Sequence, residues 1–135
     1  MDTPARSLVV KVTAGTEAPE RLSQAFTVAA TAVASGVDVS LWLTGESTWM
    51  AVPGRAEQFE LPYAAPLVEL RDAVLAGGRL TVCTQCAARR ELTEDQLVEG
   101  AVLKGAAVFV EEAMAPGVQA LVYRSAGPRE LASRR

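Results

Sequence analysis

The sequence predicts an α/β fold, a three-layer α/β/α sandwich built on a parallel, mostly five-stranded sheet. Segments of strand and helix character alternate along the 135-residue chain, which gives five strands joined by helical connections. The predicted strands are apolar at nearly every position, as strands are when helices cover both faces of their sheet. Half of the residues are hydrophobic but only 5% are aromatic, which favours helix-on-sheet packing over an aromatic-rich all-β fold.

The length of the chain indicates a single domain, residues 1–135, with a hydrophobic core of its own. The first and the last predicted strands place that core at about residues 8–123. We expect residues 124–135 to form a C-terminal tail that is frayed from Ser125 onward.

The first part of the chain predicts a strand, a helix and a second strand. The first strand is Leu8–Thr13, an apolar run interrupted by one lysine. The helix is Pro19–Ser35, because a proline's missing N–H is not needed in a first turn and Gly36 is a good helix stop. Its apolar residues recur at helical spacing: Leu22, Ala25, Phe26, Ala29, Ala32 and Val33. The second strand is Val37–Leu43.

The middle of the chain predicts less regular structure. A short helical piece carries Trp49 and Met50, and residues 55–65 form an irregular connector without hydrophobic periodicity. Pro66 opens a second helix, which ends at the glycine pair 77–78. The apolar stripe of this helix is Leu67, Leu70, Ala73 and Val74.

The last part of the chain predicts three more strands and two helices. Leu80–Cys83 and Val118–Tyr123 are apolar runs of strand length, and residues 101–103 suit a minor fourth strand. The short helix Thr84–Arg90 follows the third strand. Residues 105–115 are long enough to form a helix before the final strand.

The two cysteines of the chain, Cys83 and Cys86, mark its predicted site. Cys83 ends the third strand, and sites in parallel sheets form at the carboxyl ends of the strands. Cys86 lies in the first turn of the helix that follows. The thiolate is the reactive form of cysteine, and backbone N–H groups and nearby cations lower its pKa. We expect this support from four neighbours: the backbone N–H groups of Thr84 and Gln85 and the charges of Arg89 and Arg90.

Three further residues are predicted to support the site or to line a pocket above the strands. Gly15 and Thr16 lie in the turn after the first strand, which lacks the repeated glycines and the lysine of a phosphate-binding loop. Trp49 is the third. Glu111 and Glu112, in contrast, are expected on a solvated face of the last helix.

The residue types exclude several kinds of chemistry. The chain has no histidine, so neither a Ser-His-Asp triad nor a Cys-His pair can form. Two cysteines are too few for a zinc site within one chain, and we expect no metal and no cofactor. A formal net charge of −3 without a basic face argues against nucleic-acid binding. Neither a membrane span nor a signal peptide is evident, so we expect a cytoplasmic protein with reduced thiols.

The segment Val82-Cys83-Thr84-Gln85-Cys86-Ala87-Ala88-Arg89-Arg90 follows a glycine-ended helix and a short strand. It resembles the cysteine segment of the DsrE/DsrF-like sulfur-relay family, in its TusD/YchN-like branch, and the order of elements agrees over residues 8–123. The resemblance implies a five-stranded α/β/α sandwich, a homo-oligomer (often a trimer or hexamer), and a persulfide-carrying cysteine at Cys83. Glu91 departs from the family pattern, which often has glycine there, and Cys86 is an additional thiol.

Three functions remain open at the level of the sequence. The first is a small sulfur-relay protein that carries a persulfide on Cys83, with Cys86 as auxiliary or resolving thiol and with sulfur donor and acceptor proteins as partners. Such a carrier transfers sulfur without being a turnover enzyme in the ordinary sense. The second is a redox switch in which the two thiols form a disulfide. The third is an oligomeric ligand-binding or scaffold protein whose cysteines are inert.

Overall fold

The computed structural model describes residues 6–125, so most of the predicted C-terminal tail lies outside the described residues. The strands are β1 (Ser7–Val12), β2 (Asp38–Leu43), β3 (Arg79–Cys83), β4 (Val102–Lys104) and β5 (Val118–Tyr123). The helices are α1 (Pro19–Ala34), α2 (Leu67–Gly77), α3 (Thr84–Arg89) and α4 (Ala106–Met114). Short 3-10 segments occupy Gly45–Ala51, Ala56–Gln58 and Glu94–Gln96. Every predicted strand and α-helix is confirmed, with each bound within one residue of its predicted place.

The five strands form one parallel sheet in the order β4-β3-β2-β1-β5. From β1 to β4 the chain steps across the sheet in one direction, and from β4 it returns across the whole sheet to β5. Since parallel crossovers are right-handed, this reversal puts α4 on the face opposite to α1 and α2. Phe109 of α4 meets Trp42 of β2 edge to face, with ring centroids 5.3 Å apart, on that opposite face. The three-layer prediction is therefore confirmed.

The main hydrophobic core lies between the sheet and the layer of α1 and α2. Alternate strand residues point into it: Val10, Val12, Leu41, Leu43, Leu80 and Val82. Leu22 and Phe26 meet them from α1 and are fully buried, which stabilises the fold by about 1.5–3 kcal/mol for each side chain. Ala87 belongs to the same core, so α3 packs on this side of the sheet as well.

The predicted apolar stripe of α2 is wrong at one position. Ala73 is exposed, whereas Arg71 is buried with 5% of its surface exposed. The Arg71 guanidinium donates to the backbone carbonyl of Met50 at 3.3 Å and to Glu57 at 3.2 Å. The helix therefore uses an arginine to hold the 3-10 segments that precede it, and these contacts take the place of apolar packing there.

None of the helices within residues 6–125 combines the length and the apolar character needed to cross a lipid bilayer.

Candidate functional site

Cys83 ends β3 at the point where the connections of neighbouring strands diverge. The chain leaves β3 into α3 on one side of the sheet and leaves β4 into α4 on the other side. Such a divergence opens a crevice at the carboxyl ends of the strands, which is where open α/β sheets bind their ligands. The Cys83 side chain is partly buried, so its sulfur is not sealed in the core.

Hydrogen bonds stabilise the thiolate of Cys83. Burial raises the pKa of this thiol, but several groups lower the pKa by more. They are the backbone N–H and the thiol of Cys86, the backbone N–H of Gln85 and the charge of Lys11. The pKa therefore lies below the ordinary value of a cysteine, and a larger share of the thiol is ionised at neutral pH. The backbone donors are Gln85 and Cys86; Thr84 is exposed and is not among them.

Cys86 lies behind Cys83 and is much less accessible, with 8% of its surface exposed. Its sulfur accepts a hydrogen bond from the backbone N–H of Gly45 at 3.2 Å, and Arg89 approaches it at 4.0 Å. Gly45 takes φ +55°, a left-handed conformation that glycine adopts without strain. Both cysteines are free thiols. The arrangement leaves Cys83 partly exposed and Cys86 buried, with the Cys86 thiol close enough to lower the pKa of Cys83.

The two predicted arginines have different surroundings. Arg89 lies beside the Cys86 sulfur, as the helical spacing predicted. Arg90 turns away: it forms a salt bridge with Glu46 at 2.7 Å and donates to the carbonyl of Cys86 at 3.1 Å. Arg90 therefore ties α3 to the 3-10 segment after β2, and its charge is already balanced by a carboxylate.

The other predicted supporting residues gather around a separate pocket. Thr16 and Trp49 line a cavity of about 290 Å³, together with Glu46 and Arg55, and neither cysteine lines it. The Arg55 guanidinium stacks 4.5 Å from the centre of the Trp49 ring. Gly15 is buried next to Glu46, which lines this pocket, and a Cβ added at Gly15 would come within 2.6 Å of the Glu46 Cβ. The structure thus places these three residues beside one another but outside the thiol site.

Sequence reasoning missed two lysines that share the sheet face of Cys83. Parallel pairing aligns Cys83 with Lys104 of β4 and puts both on one face. Lys11 of β1 lies on the same face, in register with Trp42 and, through it, with Thr81 of β3. Because side chains alternate between the two faces of a strand, the sequence indicates on which face of its own strand each lysine lies. Only the pairing of the strands brings both of them next to the cysteine.

The expectation of a solvated Glu112 is wrong. Its carboxylate oxygen Oε1 accepts hydrogen bonds from the Ser40 hydroxyl at 2.6 Å and from the Trp42 indole N–H at 3.0 Å. Both donors belong to buried residues of β2. Glu112 therefore fastens α4 to the sheet and satisfies two buried polar groups, while Glu111 is exposed as expected.

Comparison with known proteins points to one family. The chain matches the model of the DsrE/DsrF-like family over residues 6–115. A curated relative, the uncharacterized protein MJ0989 of Methanocaldococcus jannaschii, is 34% identical over 91 residues, which span 65% of this chain and 77% of the relative.

Two solved structures share the fold. The crystal structure of the ychN protein from E. coli superposes with a TM-score of 0.73 at 13% identity, covering 87% of this chain and 99% of that one. The protein of unknown function MTH1491 from Methanobacterium thermoautotrophicum superposes with a TM-score of 0.63 at 10% identity, covering 88% of this chain and 99% of that one. The family match extends over four of the five strands of the shared sheet, and we conclude that this chain belongs to the DsrE/DsrF-like family.

Proposed function

We propose that this protein is a sulfur-relay protein that carries sulfane sulfur as a persulfide on Cys83. The observation that carries the proposal is the environment of that sulfur. It is partly exposed at the carboxyl end of β3, and the backbone N–H groups of Gln85 and Cys86 and the Cys86 thiol lower its pKa. Membership of the DsrE/DsrF-like family supports a role in sulfur relay.

The transfer step requires no cofactor. The Cys83 thiolate attacks the outer sulfur of a donor persulfide, the bond between the two donor sulfurs breaks, and the donor leaves as a thiolate. Cys83 then holds the sulfur as R–S–S⁻, and an acceptor thiolate removes it by the same exchange in reverse. The backbone donors of Gln85 and Cys86 that stabilise a thiolate also suit the terminal sulfur of a persulfide anion.

Cys86 has the role of an auxiliary or resolving thiol. Its sulfur can attack the inner sulfur of the Cys83 persulfide, which forms the Cys83–Cys86 disulfide and releases hydrosulfide with the thiol proton. The Cys86 thiol is among the groups that lower the pKa of Cys83, and this supports the role because such an interaction acts at short range. The low exposure of Cys86 limits its direct reaction with outside donors.

Mass spectrometry of the reduced protein after incubation with glutathione persulfide tests the proposal. We expect a mass gain of one sulfur atom that maps to Cys83. The Cys83→Ser variant should lose this gain, while the matched Cys86→Ser variant should keep it and hold the adduct longer. The proposal fails if Cys83 reacts readily with iodoacetamide but accepts no sulfur from the persulfide.

A redox switch is the second candidate function, and the contact between the two thiols favours it. Mild peroxide would oxidise the Cys83 thiolate to a sulfenic acid, and Cys86 would displace water to form the disulfide. Formation of this disulfide in a protein that takes up no sulfur from a persulfide donor would support the switch over the carrier. The third possibility, inert cysteines, predicts that Cys83 resists alkylation until the protein unfolds.

The proposed carrier works as a homo-oligomer, a trimer or hexamer by family resemblance, in the cytoplasm, where thiols stay reduced. Its further partners are the proteins that donate and accept sulfur. An exposed apolar surface supports self-association. Among residues 6–125, four of the five exposed large hydrophobic residues lie on α4 and β5: Val110, Met114, Leu121 and Val122. Exposed apolar side chains on and beside an edge strand favour protein–protein contacts.

A further inference from the structure

Both lysines of the chain lie on the sheet face that carries Cys83. The sequence contains only Lys11 and Lys104, against eleven arginines. Lys104 is the direct neighbour of Cys83 in the pairing of β3 with β4, about 5 Å away between Cα atoms. Lys11 lies two strands away from β3 and is level with Thr81, which is two residues before Cys83. A lysine side chain is long enough to extend from there toward Cys83. Its charge acts on the Cys83 thiol.

Neither lysine forms a salt bridge with a carboxylate within residues 6–125. Arg71, Arg79 and Arg90 each form a salt bridge with an acidic side chain. Lys11 instead places its ammonium group 5.0 Å from the centre of the Phe109 ring, and Lys104 is exposed at the end of β4. An aromatic ring holds an ammonium group in place without cancelling its charge.

Glu112, the residue of α4 whose carboxylate contacts the sheet, forms a salt bridge with neither Lys11 nor Lys104. Glu112 directs its carboxylate to Ser40 and to the indole of Trp42, as described above. Cys83, whose thiol has a lowered pKa, therefore shares a sheet face with two lysines that form no salt bridge within the described residues. Such an arrangement suits an anionic substrate. The positive charges of the lysines offset the repulsion between the anion and the negatively charged thiolate.

We propose that Lys11 and Lys104 form an anion-binding clamp at Cys83 that selects a small sulfur oxoanion with a terminal sulfane sulfur as the sulfur donor. This inference rests on the proposed persulfide carrier and specifies its donor class. The Cys83 thiolate attacks the terminal sulfur, the S–S bond of the donor breaks, and sulfite leaves with the bonding electron pair. The persulfide remains on Cys83, and total charge is conserved.

The test compares two alkylating reagents of nearly equal size, anionic iodoacetate and neutral iodoacetamide. Their rate constants are measured for Cys83 in a Cys86→Ser background, where Cys83 is the only cysteine. A change in the pKa of Cys83 affects both reagents equally, so the ratio of the two rates reports attraction of the anion alone. The ratio also needs no sulfur donor, and it is therefore independent of persulfide formation.

We expect Lys11→Met and Lys104→Met each to lower the iodoacetate-to-iodoacetamide ratio by roughly threefold, as loss of a unit charge at partial solvent screening predicts. Lys11→Arg and Lys104→Arg should retain the parent ratio. Arg79→Met is the matched control: it removes a cation from the same strand and the same face as Cys83, but at the opposite end of β3. High salt should reduce the effect of the lysine variants.

The clamp is overturned if either lysine variant keeps the parent ratio, or if Arg79→Met lowers it as much. Lys104 is exposed, so its variant should fold even if substitution of the half-buried Lys11 harms folding. If the protein takes up sulfur from glutathione persulfide but the lysine variants keep the parent alkylation ratio, the clamp alone is refuted and the carrier function stands. If the protein takes up no sulfur from glutathione persulfide but the lysine variants do lower the alkylation ratio, the carrier function is refuted and the anion site stands.

Discussion

The two cysteines are three residues apart in sequence but have different surroundings, because the strand ends between them. Cys83 is still on the sheet face and partly exposed, whereas Cys86 has turned inward on α3 to meet the backbone of Gly45. A single helical turn thus separates a presented thiol from a protected one. The chemical roles of the two residues follow from this difference in access more than from their shared motif.

The reaction of Cys83 with iodoacetamide should reach half of its maximal rate at a lower pH than that of an ordinary cysteine. The reason is the lowered pKa of Cys83, since only the thiolate reacts and its fraction falls as the pH drops through that pKa. A pH–rate profile of the parent protein measures the midpoint, with the alkylated Cys83 peptide quantified separately from that of Cys86. Lys11→Met should move the midpoint to higher pH, because it removes one of the groups that favour the anion.

Cys86 should react at least about tenfold more slowly than Cys83 in the folded protein, because a buried thiol reacts only when the structure opens. Alkylation followed by peptide mapping, with and without denaturant, measures both rates. In denaturant the two rates should become similar. Equal rates in the native protein would contradict the assignment of Cys86 as a protected, resolving thiol.

At the scale of elements, α4 is held to the sheet by polar and aromatic contacts, and none of its residues is fully buried. Glu112 binds Ser40 and Trp42, and Phe109 packs on the Trp42 ring. The opposite layer relies on α1, whose residues Leu22, Ala25, Phe26 and Ala29 are fully buried. The layer that borders Cys83 is therefore the less tightly attached of the two.

Glu112→Ala should lower the free energy of unfolding by about 1–3 kcal/mol, because Ser40 and Trp42 lose their acceptor while remaining buried. Urea unfolding followed by circular dichroism measures the change. Glu111→Ala, one residue earlier on the exposed side of α4, is the matched control and should stay within about 0.5 kcal/mol of the parent. Equal effects of the two substitutions would show that the contacts of Glu112 do not stabilise the fold.

The junction of α2 and β3 depends on close approach at Gly78. An added Cβ would lie 2.8 Å from the carbonyl oxygen of Val39 and 3.4 Å from a methyl group of Val33. Gly78→Ala should therefore destabilise the protein by about 1–3 kcal/mol. Gly105→Ala, where a Cβ meets nothing within 4 Å, is the control and should cost less in the same urea titration.

At the scale of the whole molecule, the uncovered surface of α4 and β5 predicts self-association. The protein should sediment as a species larger than its 14.2 kDa monomer. Replacing Met114 and Val122 with glutamate should shift it toward the monomer, because charges oppose burial of that surface. Tyr63→Glu, at an exposed aromatic residue outside α4 and β5, is the control and should leave the assembly unchanged. A monomer in the parent protein would contradict the proposed oligomer.

Local patterns in the sequence determined the elements and their order. Strand runs of three to seven mostly apolar residues, the proline that begins α1 and the glycine pair at the end of α2 all act through nearest neighbours along the chain. For the same reason the sequence placed Cys83 at the end of a strand and Cys86 in the turn that follows. The family, too, could be inferred from that segment, and the match over residues 6–115 confirms it.

Only the tertiary structure decided which distant residues meet. The register of β3 with β4 brings Lys104 to Cys83, and the return crossover brings Glu112 onto Trp42. It also sets Trp49 and Thr16 apart from the thiols, in a pocket of their own. Periodicity along a strand or helix tells which face a side chain takes, but not which other strand or helix lies against that face. That choice depends on strand pairing and crossover direction, which are properties of the assembled sheet.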